Sequence, residues 1–424
     1  MKQKIYKRKR IIPVGWKEIK LGDVFRTSSG STPLSTEKSY YEGGVIPWIN
    51  SGELASPYIY KTSNYITQKG FENSSTELYP KDTVLVAMYG ATAGKASLLK
   101  LEACTNQAIC AILPNEDYCP EFIKYNIDTL YEHLVGLSSG SARDNLSQAG
   151  LKELKLVLPK TKKEQEKLVS VLSLLDRKIE LNRQINDNLE AMAKQLYDYW
   201  FVQFDFPNEE GKPYKSSGGA MVWNEKLKRE IPQGWSNGVL SDVANITMGQ
   251  SPDGSSYNED GKGIIFYQGS TDFGLRFPDI RQYTTSPSRY ANKGDILMSV
   301  RAPVGALNIA NNDCCIGRGL SALSSKIGSM THLYYLMNDF RLKFAGMNSA
   351  GTTFGSITKD ELFSLPIVIP TKSVISEFEQ VCEPIFDKQM IIGEEINALT
   401  KQRNELLPLL MNGQATINYH LSDD

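Results

Sequence analysis

The sequence is poor in the residues that metal sites and many active sites require. Its 424 residues include only three histidines and six cysteines. The cysteines form no C-x-x-C pair and the histidines stand singly, so their spacing predicts no zinc site. No histidine recurs at matching places in the chain, which argues against a Ser/His/Asp active site. Free buried thiols in a reducing cytoplasm are the expected state of the cysteines.

Long apolar runs and a strong net charge are also lacking. No run approaches the ~20 residues that a membrane span requires. The basic start MKQKIYKRKR is followed by IIPVGW rather than by a long apolar segment, so a signal peptide is not predicted. A formal net charge of −1 gives no overall indication of a nucleic-acid partner. The basic start itself fits either a frayed tail or an arm that contacts phosphates.

Two segments resemble catalytic motifs but lack essential positions. AMYGATAGKAS, residues 87–97, looks like a phosphate-binding loop of the pattern G-x-x-x-x-G-K-[ST]. Gly90 and Gly94 are one residue too close, and Ala96 replaces the hydroxyl residue that would hold magnesium. We therefore predict a tight turn between two strands. SPDGSSYNEDGKGIIF resembles a metal-dependent nuclease core, but its spacing is short and no apolar strand carries Asp253.

The chain contains one pattern twice, which is the first feature to seek in a long sequence. IPVGWKEIKLGDVFRTSSGSTP begins at Ile12, and IPQGWSNGVLSDVANITMGQSP begins at Ile231. Further on, SSGSARDNLSQAGLKELKLVLP from Ser138 matches NSAGTTFGSITKDELFSLPIVIP from Asn348. Two blocks of this length in the same order predict two homologous halves.

Each half is predicted to be a mixed α/β domain followed by a long helix. The runs TVLVAM and DILMSV are typical of buried strands, and LKELKLVLP and LFSLPIVIP predict a last strand ending at proline. The helices are predicted over roughly Lys162 to Phe201 and Ser373 to Met411, because apolar residues recur there at three- and four-residue steps. Each would be ~60 Å long. Neither can bury its apolar stripe on one small domain, so we expect the two helices to pack together.

Five segments follow from these patterns. They are a first domain (1–159), a central long helix (160–206), a loop-rich linker (207–230), a second domain (231–370), and a C-terminal long helix and tail (371–424). If the helices run antiparallel, they form a rod with one domain at each end. Such a shape suits the reading of two short patches at a fixed distance on a long polymer, and DNA is the obvious candidate.

Several segments together carry a family resemblance that covers nearly the whole chain. They are the entry pattern IPVGW…LGDV…SGSTP, the turn LVLPKTKKEQEKL into the first long helix, the run LDRKIELNRQINDNLEAMAKQLYDYWFVQFDFP, and the second IPQGW. In this order they resemble the specificity subunit of a type I DNA restriction-modification system. The second copy departs from the pattern only where IPTKSVISEF lacks the Glu-Gln helix start.

The resemblance implies an α+β fold with two homologous target recognition domains joined by two long helices packed as an antiparallel coiled coil. Each domain would read one part of a bipartite, asymmetric site in double-stranded DNA. The helices would set the spacing and dock the methyltransferase subunits, of which two are expected, and restriction subunits would join the complex. The methyl donor, ATP and magnesium would belong to those partners, so no cofactor, metal or catalytic residue is expected in this cytoplasmic chain.

Candidate DNA-binding residues are the polar tips of loops that recur in both halves. Asn and Gln suit adenine, and Arg suits guanine. In the first half the candidates are Ser29, Ser31, Thr32, Asn50, Ser51, Tyr89, Lys95, Asn106, Gln107, Ser141, Arg143 and Asn145. In the second half they are Gln250, Ser251, Gln268, Ser270, Arg301, Arg318, Thr352 and Thr353. Each could instead be an ordinary solvated turn residue.

Two other functions stay open from the residues alone. A non-catalytic coiled-coil scaffold joining two protein-binding domains would have the same pattern, and the near-neutral charge favours it. A steep fall of DNA affinity with salt would separate a DNA reader from such a scaffold. An independent nuclease would instead require metal-dependent cleavage by this chain alone.

Overall fold

The computed structural model describes residues 12–138, 146–349 and 355–417, and these residues form two compact units. One unit extends to Glu180 and includes the chain from Ala398 onward, and the other is Leu181–Asn397. The unit boundary therefore passes through both long helices. Within the described ranges, no helix combines the length and the apolar character that a membrane crossing requires.

The first unit is built on a five-stranded and a three-stranded sheet. Its strands are β1 (Trp16–Lys20), β2 (Thr27–Ser29), β3 (Ile46–Ile49), β4 (Tyr58–Ile59), β5 (Tyr65–Ile66), β6 (Val84–Ala87), β7 (Ala96–Leu99), β8 (Cys104–Thr105), β9 (Ile109–Ile112) and β10 (Lys155–Pro159). Its helices are α1 (Leu21–Val24), α2 (Gln68–Glu72), α3 (Pro120–Asp128), α4 (Tyr131–Ser138), α5 (Gln148–Lys152) and the start of α6 (Lys162–Tyr197). The sheet orders are β2-β9-β6-β7-β4 and β5-β3-β8, and β1 pairs with β10.

The second unit repeats this plan. Its strands are β11 (Met221–Asn224), β12 (Arg229–Pro232), β13 (Ser236–Val239), β14 (Ala244–Met248), β15 (Tyr257–Asn258), β16 (Ile264–Tyr267), β17 (Tyr283–Thr284), β18 (Tyr290–Ala291), β19 (Ile296–Ser299), β20 (Leu307–Ile309), β21 (Cys314–Ile316), β22 (Leu320–Ser325) and β23 (Pro366–Ile369). Its helices are α7 (Leu240–Val243), α8 (Met330–Ser349), α9 (Lys359–Phe363) and most of α10 (Lys372–Met411). The sheet orders are β14-β22-β19-β20 and β15-β17-β16-β21-β18, and β13 pairs with β23.

The two sheet systems correspond strand by strand. The order β2-β9-β6-β7 matches β14-β22-β19-β20, and β5-β3-β8 matches β17-β16-β21. In both units one pair inside the second sheet is parallel, β3 with β8 and β16 with β21. The predicted duplication of a mixed α/β domain is therefore confirmed, and TVLVAM and DILMSV form the buried strands β6 and β19.

The last predicted strand of each half is wrong at its start. LKELKLVLP begins inside helix α5, and only residues 155–159 are extended. The Ser147 hydroxyl caps α5 by accepting a hydrogen bond from the Gly150 amide, and Thr358 caps α9 by accepting one from the Glu361 amide. Ser147 and Thr358 occupy matching positions of the repeat. A short capped helix therefore precedes each last strand, because a hydroxyl at this position satisfies a free helical N–H group.

The segment predicted as a loop-rich linker contains an antiparallel hairpin, β11 with β12. Stacked aromatic rings join Tyr214 within this segment to residues on its two sides. The Phe206 ring lies 4.6 Å from the Tyr214 ring and 5.1 Å from the Trp235 ring, measured between centroids. The Gly, Pro and charged residues predict a loop-rich segment, and residues 207–220 contain only turns and an isolated bridge, so the hairpin is the part that the sequence did not indicate.

The long helices agree with prediction within a few residues. Helix α10 spans Lys372–Met411, whereas α6 ends at Tyr197 and continues as one π-helical turn, Asp198–Val202. In the first unit, Arg403 Nη1 of α10 lies 3.6 Å from Asp176 Oδ1 of α6. In the second unit, the Asn182 amide donates to Glu395 at 2.8 Å, and the Phe201 and Phe378 rings lie 4.8 Å apart. Within each unit, segments of the two helices thus lie side by side.

Candidate nucleic-acid interface

Loops from three parts of the first unit are joined by hydrogen bonds among the candidate residues. Thr32 Oγ1 donates to Gln107 Oε1 at 2.6 Å, and Ser29 Oγ lies 3.3 Å from the Gln107 carbonyl oxygen. Asn106 Nδ2 lies 3.4 Å from Asn50 Oδ1. The structure therefore brings together side chains that are more than fifty residues apart in sequence.

A glycine allows two of these loops to meet. A β-carbon at Gly30 would lie 1.9 Å from the Thr105 carbonyl oxygen, which no side chain tolerates. The next amide, that of Ser31, donates to the same oxygen at 3.0 Å. Gly30 thus keeps the loop after β2 directly against the end of β8, next to Asn106 and Gln107.

The segment 87–97 is the tight turn between antiparallel strands that the sequence predicts. Gly94 N donates to the Ala87 carbonyl at 2.8 Å, and both Gly90 and Gly94 have positive φ angles, 88° and 81°. The residues after Lys95 form strand β7 rather than a helix, so the helix N-terminus that holds a nucleotide phosphate in a Walker loop is not here.

This turn lies beside the Gln107 loop. The Met88 amide donates to the Ala108 carbonyl at 2.8 Å, and Thr92 Oγ1 donates to the Ser51 carbonyl at 2.7 Å. The Tyr89 side chain at its tip is half exposed. Tyr89, Gln107 and Ser51 therefore belong to one loop cluster, which also contains Ser29, Ser31, Thr32, Asn50, Lys95 and Asn106. We call these residues the first loop cluster.

The second unit builds the matching cluster from matching loops. The Arg318 backbone amide donates to Ser251 Oγ at 3.2 Å. The same two loops therefore meet as in the first unit, although there the bond joins the Thr32 and Gln107 side chains. A β-carbon at Gly249 would lie 2.1 Å from the Gly317 carbonyl oxygen, as the one at Gly30 would meet Thr105. The second loop cluster contains Gln250, Ser251, Gln268, Ser270, Arg301 and Arg318.

The Arg301 turn lies beside the Arg318 loop. The Val300 amide donates to the Gly319 carbonyl at 2.9 Å, in the position of the Met88 contact of the first unit. Both arginine side chains are exposed, and in the described ranges neither has a carboxylate oxygen within 4 Å. Two exposed guanidinium groups on neighbouring loops are thus available to an outside partner, where the first cluster presents Tyr89 and Gln107.

Sequence reasoning missed the residues that hold these loops in place. Glu53 Oε1 accepts from the Asn50 amide at 2.9 Å and from Asn64 Nδ2 at 3.1 Å, and it closes the turn that starts at Asn50. The spacing Asn-x-x-Glu is a capping box and could have identified Glu53. In the second unit, Ser288 Oγ donates to the Gln250 carbonyl, a contact between loops that no local pattern indicates.

Five candidates lie outside the described residues, namely Ser141, Arg143, Asn145, Thr352 and Thr353. The basic segment at residues 2–10 also lies outside them. The contacts of the remaining fifteen place them in the two loop clusters but test no binding role. Their assignment to DNA therefore stays a prediction.

The nuclease-like segment has a structural role in what the structure shows of it. Asp253 caps a short turn, and its hydrogen bond from Ser255 holds the pKa of the carboxyl below its usual range. Asp260 and Lys262 form an exposed ion pair with a distance of 3.5 Å. Among the described residues, no group of three His, Cys, Asp or Glu side chains is placed to hold a metal ion.

Comparison with known proteins matches both halves to one family model. The model is described as "Type I restriction modification DNA specificity domain" and matches residues 13–191 and 232–407. The MjaIX specificity subunit of a type I restriction enzyme from Methanocaldococcus jannaschii is 29% identical, over 96% of this chain and 95% of that protein. The HindI specificity subunit from Haemophilus influenzae is 22% identical, over 94% of this chain and 99% of its own length.

A solved structure shares the fold. The crystal structure of a type I restriction-modification system S subunit from M. genitalium covers 97% of this chain and 98% of its own, with a TM-score of 0.57 and 16% identity. At this identity the likeness concerns the fold alone. It agrees with the two-domain arrangement of mixed helix and sheet described above.

Proposed function

Because the chain belongs to the family of type I restriction modification DNA specificity domains, we propose that each loop cluster reads one part of a bipartite DNA site. The chain is a DNA specificity subunit of a type I restriction-modification system, the class to which its relatives belong. Subunits of this class recognise DNA and leave the chemistry to the other subunits of the complex. The proposal concerns which residues of this chain do the reading.

The observation that carries the proposal is the repetition of one loop framework with different polar tips. Gln107 and Arg318 occupy the same position beside Thr32 and Ser251. An amide side chain suits adenine, whereas a guanidinium suits the O6 and N7 acceptors of guanine. Two domains that read different sequences require this combination, in which the backbone framework is shared and the side chains that reach the bases differ.

We propose that α6 and α10 form an antiparallel coiled coil that sets the distance between the two DNA patches. Side-chain contacts between the two helices in each unit support this. In the first unit they join Asp176 with Arg403, and in the second Asn182 with Glu395 and Glu190 with Gln389. From one pair to the next, the residue number rises in α6 and falls in α10, which is the pattern of antiparallel helices.

Methyltransferase and restriction subunits complete such a complex, and we propose that two methyltransferase subunits dock on the helices of this chain. The methyl donor, ATP and magnesium would be bound by those partners. A cytoplasmic site of action belongs to the same proposal. It is supported by six buried free cysteines, since burial raises the pKa of the Cys104 thiol to about 11 and keeps such thiols unreactive.

Replacing Arg301 with alanine tests the reading role directly. If the guanidinium contacts a guanine, binding of the assembled complex to its site should weaken by about 1–3 kcal/mol, and discrimination at that base pair should relax. If it contacts a phosphate, the affinity should fall on all sequences and the slope of log K against log salt should decrease by about 1. Fluorescence anisotropy with labelled duplexes over a salt series measures both effects.

Arg177→Ala, which removes an exposed arginine of α6, is the matched control and should leave base preference unchanged. DNA binding that does not depend on salt in the unsubstituted complex would favour a protein scaffold over a DNA reader. Unchanged affinity and unchanged site preference in Arg301→Ala would remove this residue from the interface.

A further inference from the structure

A cavity of about 390 Å³ lies in the second unit between the end of α6, strand β12, helix α8 and strand β23, and no residue of the loop clusters lines it. Five aromatic rings line it, those of Tyr197, Phe201, Trp235, His332 and Phe340. The Phe201 ring lies 4.6 Å from the His332 ring and 6.0 Å from the Trp235 ring, between centroids. The walls are therefore rigid and suited to a flat apolar group.

The imidazole of His332 is the unusual member of this ring set. It is 2% exposed, and its Nδ1 atom has no hydrogen-bond partner among the described residues. Burial lowers the pKa of His332 to about 3, so the imidazole is neutral at ordinary pH. A buried polar atom without a partner is destabilising and rare in folded proteins.

The first half of the same chain shows that the fold does not require an imidazole here. Helices α3 and α8 can be aligned on Tyr125 and Tyr335. The hydroxyl of each tyrosine donates to a carboxylate of α6 in its own unit, Tyr125 to Asp176 and Tyr335 to Glu190. In this alignment His332 falls on Phe122.

The Phe122 ring lies 6.1 Å from the Trp16 ring, and Trp16 is the repeat equivalent of Trp235. Phenylalanine thus fills the position in one half without an unpartnered polar atom. The second half instead has histidine at this position, with an unpartnered Nδ1 atom, at the wall of a cavity.

Two cations stand at the same cavity. Arg229 and Lys343 both line it and are exposed, and across the described ranges neither has a carboxylate oxygen within 4 Å. The Arg229 guanidinium lies 4.7 Å from the centre of the Phe204 ring, which fixes its position on an apolar surface. The nearby carboxylate of Asp339 is paired with Lys194 at 3.2 Å.

We propose that this cavity binds a small molecule with a planar ring and an attached anionic group. The ring would lie among Phe201, Trp235 and His332 and would contact the His332 imidazole. The anionic group would meet Arg229 and Lys343. A mononucleotide and an aromatic carboxylate share this chemistry, and the experiment separates them.

The test is calorimetric titration of the purified full chain with adenosine 5′-monophosphate and, separately, with indole-3-acetate. We expect one of them to bind with one site per chain, and adenosine or indole, which lack the anionic group, to bind at least about 10-fold more weakly. His332→Phe copies the residue of the first half. It should melt at the same or a higher temperature and weaken binding by about 10-fold or more.

Phe122→His is the matched control in the other half and should leave the titrations unchanged. If His332→Phe does not fold, Arg229→Ala and Lys343→Ala provide the test, because each should reduce the preference for the anionic probe over its neutral counterpart. Absence of saturable binding by both anionic probes at millimolar concentration would overturn the proposal. Equal binding by the unsubstituted chain and by folded His332→Phe would overturn it as well.

Discussion

Replacing Gly30 with alanine is expected to weaken recognition of one half of the DNA site about 100-fold and to leave the second loop cluster intact. The added β-carbon would lie 1.9 Å from the Thr105 carbonyl oxygen and 2.3 Å from Thr105 Oγ1. Both loops must then move, which breaks the 3.0 Å bond from the Ser31 amide to the same carbonyl. Strain of this kind costs about 3 kcal/mol, equivalent to a factor of about 100 in binding.

The first loop cluster offers its own control for this change. A β-carbon at Gly52 meets no atom within 4 Å, and Gly52 lies in the turn that follows Asn50. Gly52→Ala should therefore keep both stability and binding. The measurement is the affinity of the assembled complex for duplexes in which one half-site or the other is scrambled. If Gly30→Ala and Gly52→Ala behave alike, the first loop cluster does not form the contact surface that we describe.

Replacing Glu190 with alanine is expected to destabilise the second unit by about 3 kcal/mol. Glu190 Oε2 accepts from Gln389 Nε2 at 2.8 Å and lies 3.3 Å from both Arg276 Nη1 and the Tyr335 hydroxyl. Arg276 is only 7% exposed. Removing the carboxylate leaves this guanidinium buried without its counter-charge, which is the costly way to break an ion pair. This expected loss of stability is at the low end of the range for breaking a buried ion pair, because the Glu190 side chain is 35% exposed.

Urea denaturation of the full chain, followed by circular dichroism, measures this loss. Asp187→Ala removes an exposed carboxylate from the same helix and should change the free energy of unfolding by less than about 0.5 kcal/mol. Because the cost comes from the stranded guanidinium, Arg276→Met combined with Glu190→Ala should recover most of the stability. If the single substitution Glu190→Ala is as stable as Asp187→Ala, Arg276 must find another partner or water in the variant.

The sequence predicts the repeated elements of this fold well because repetition and periodicity are local properties. The strands around Leu85 and Leu297 are buried apolar runs, and the helix that ends at Met411 carries its three- and four-residue apolar steps throughout. The turn between Gly90 and Gly94 was predictable because positive φ angles at both positions require glycine.

Other features depend on contacts between distant residues and leave no local pattern. The Trp235 ring stacks on Phe206, so residues from the two sides of the predicted linker meet in space. The sequence shows that the loops of Thr32 and Gln107 both recur in the second half, but it does not show that these two side chains meet. The polar network of Arg276, Glu190 and Gln389 was not foreseen, because Arg276 lies in a loop that is distant in sequence from both helix residues and no local pattern joins the three.

The central claim is that two loop clusters on one chain read the two parts of a single DNA site. Single-molecule methylation mapping of the host genome, with this gene intact and with it deleted, tests this most directly. We expect one methylated motif of two short specific parts separated by a gap of fixed length, and its complete loss on deletion. An unchanged set of methylated motifs on deletion, in a host shown to express the complex, would contradict the account.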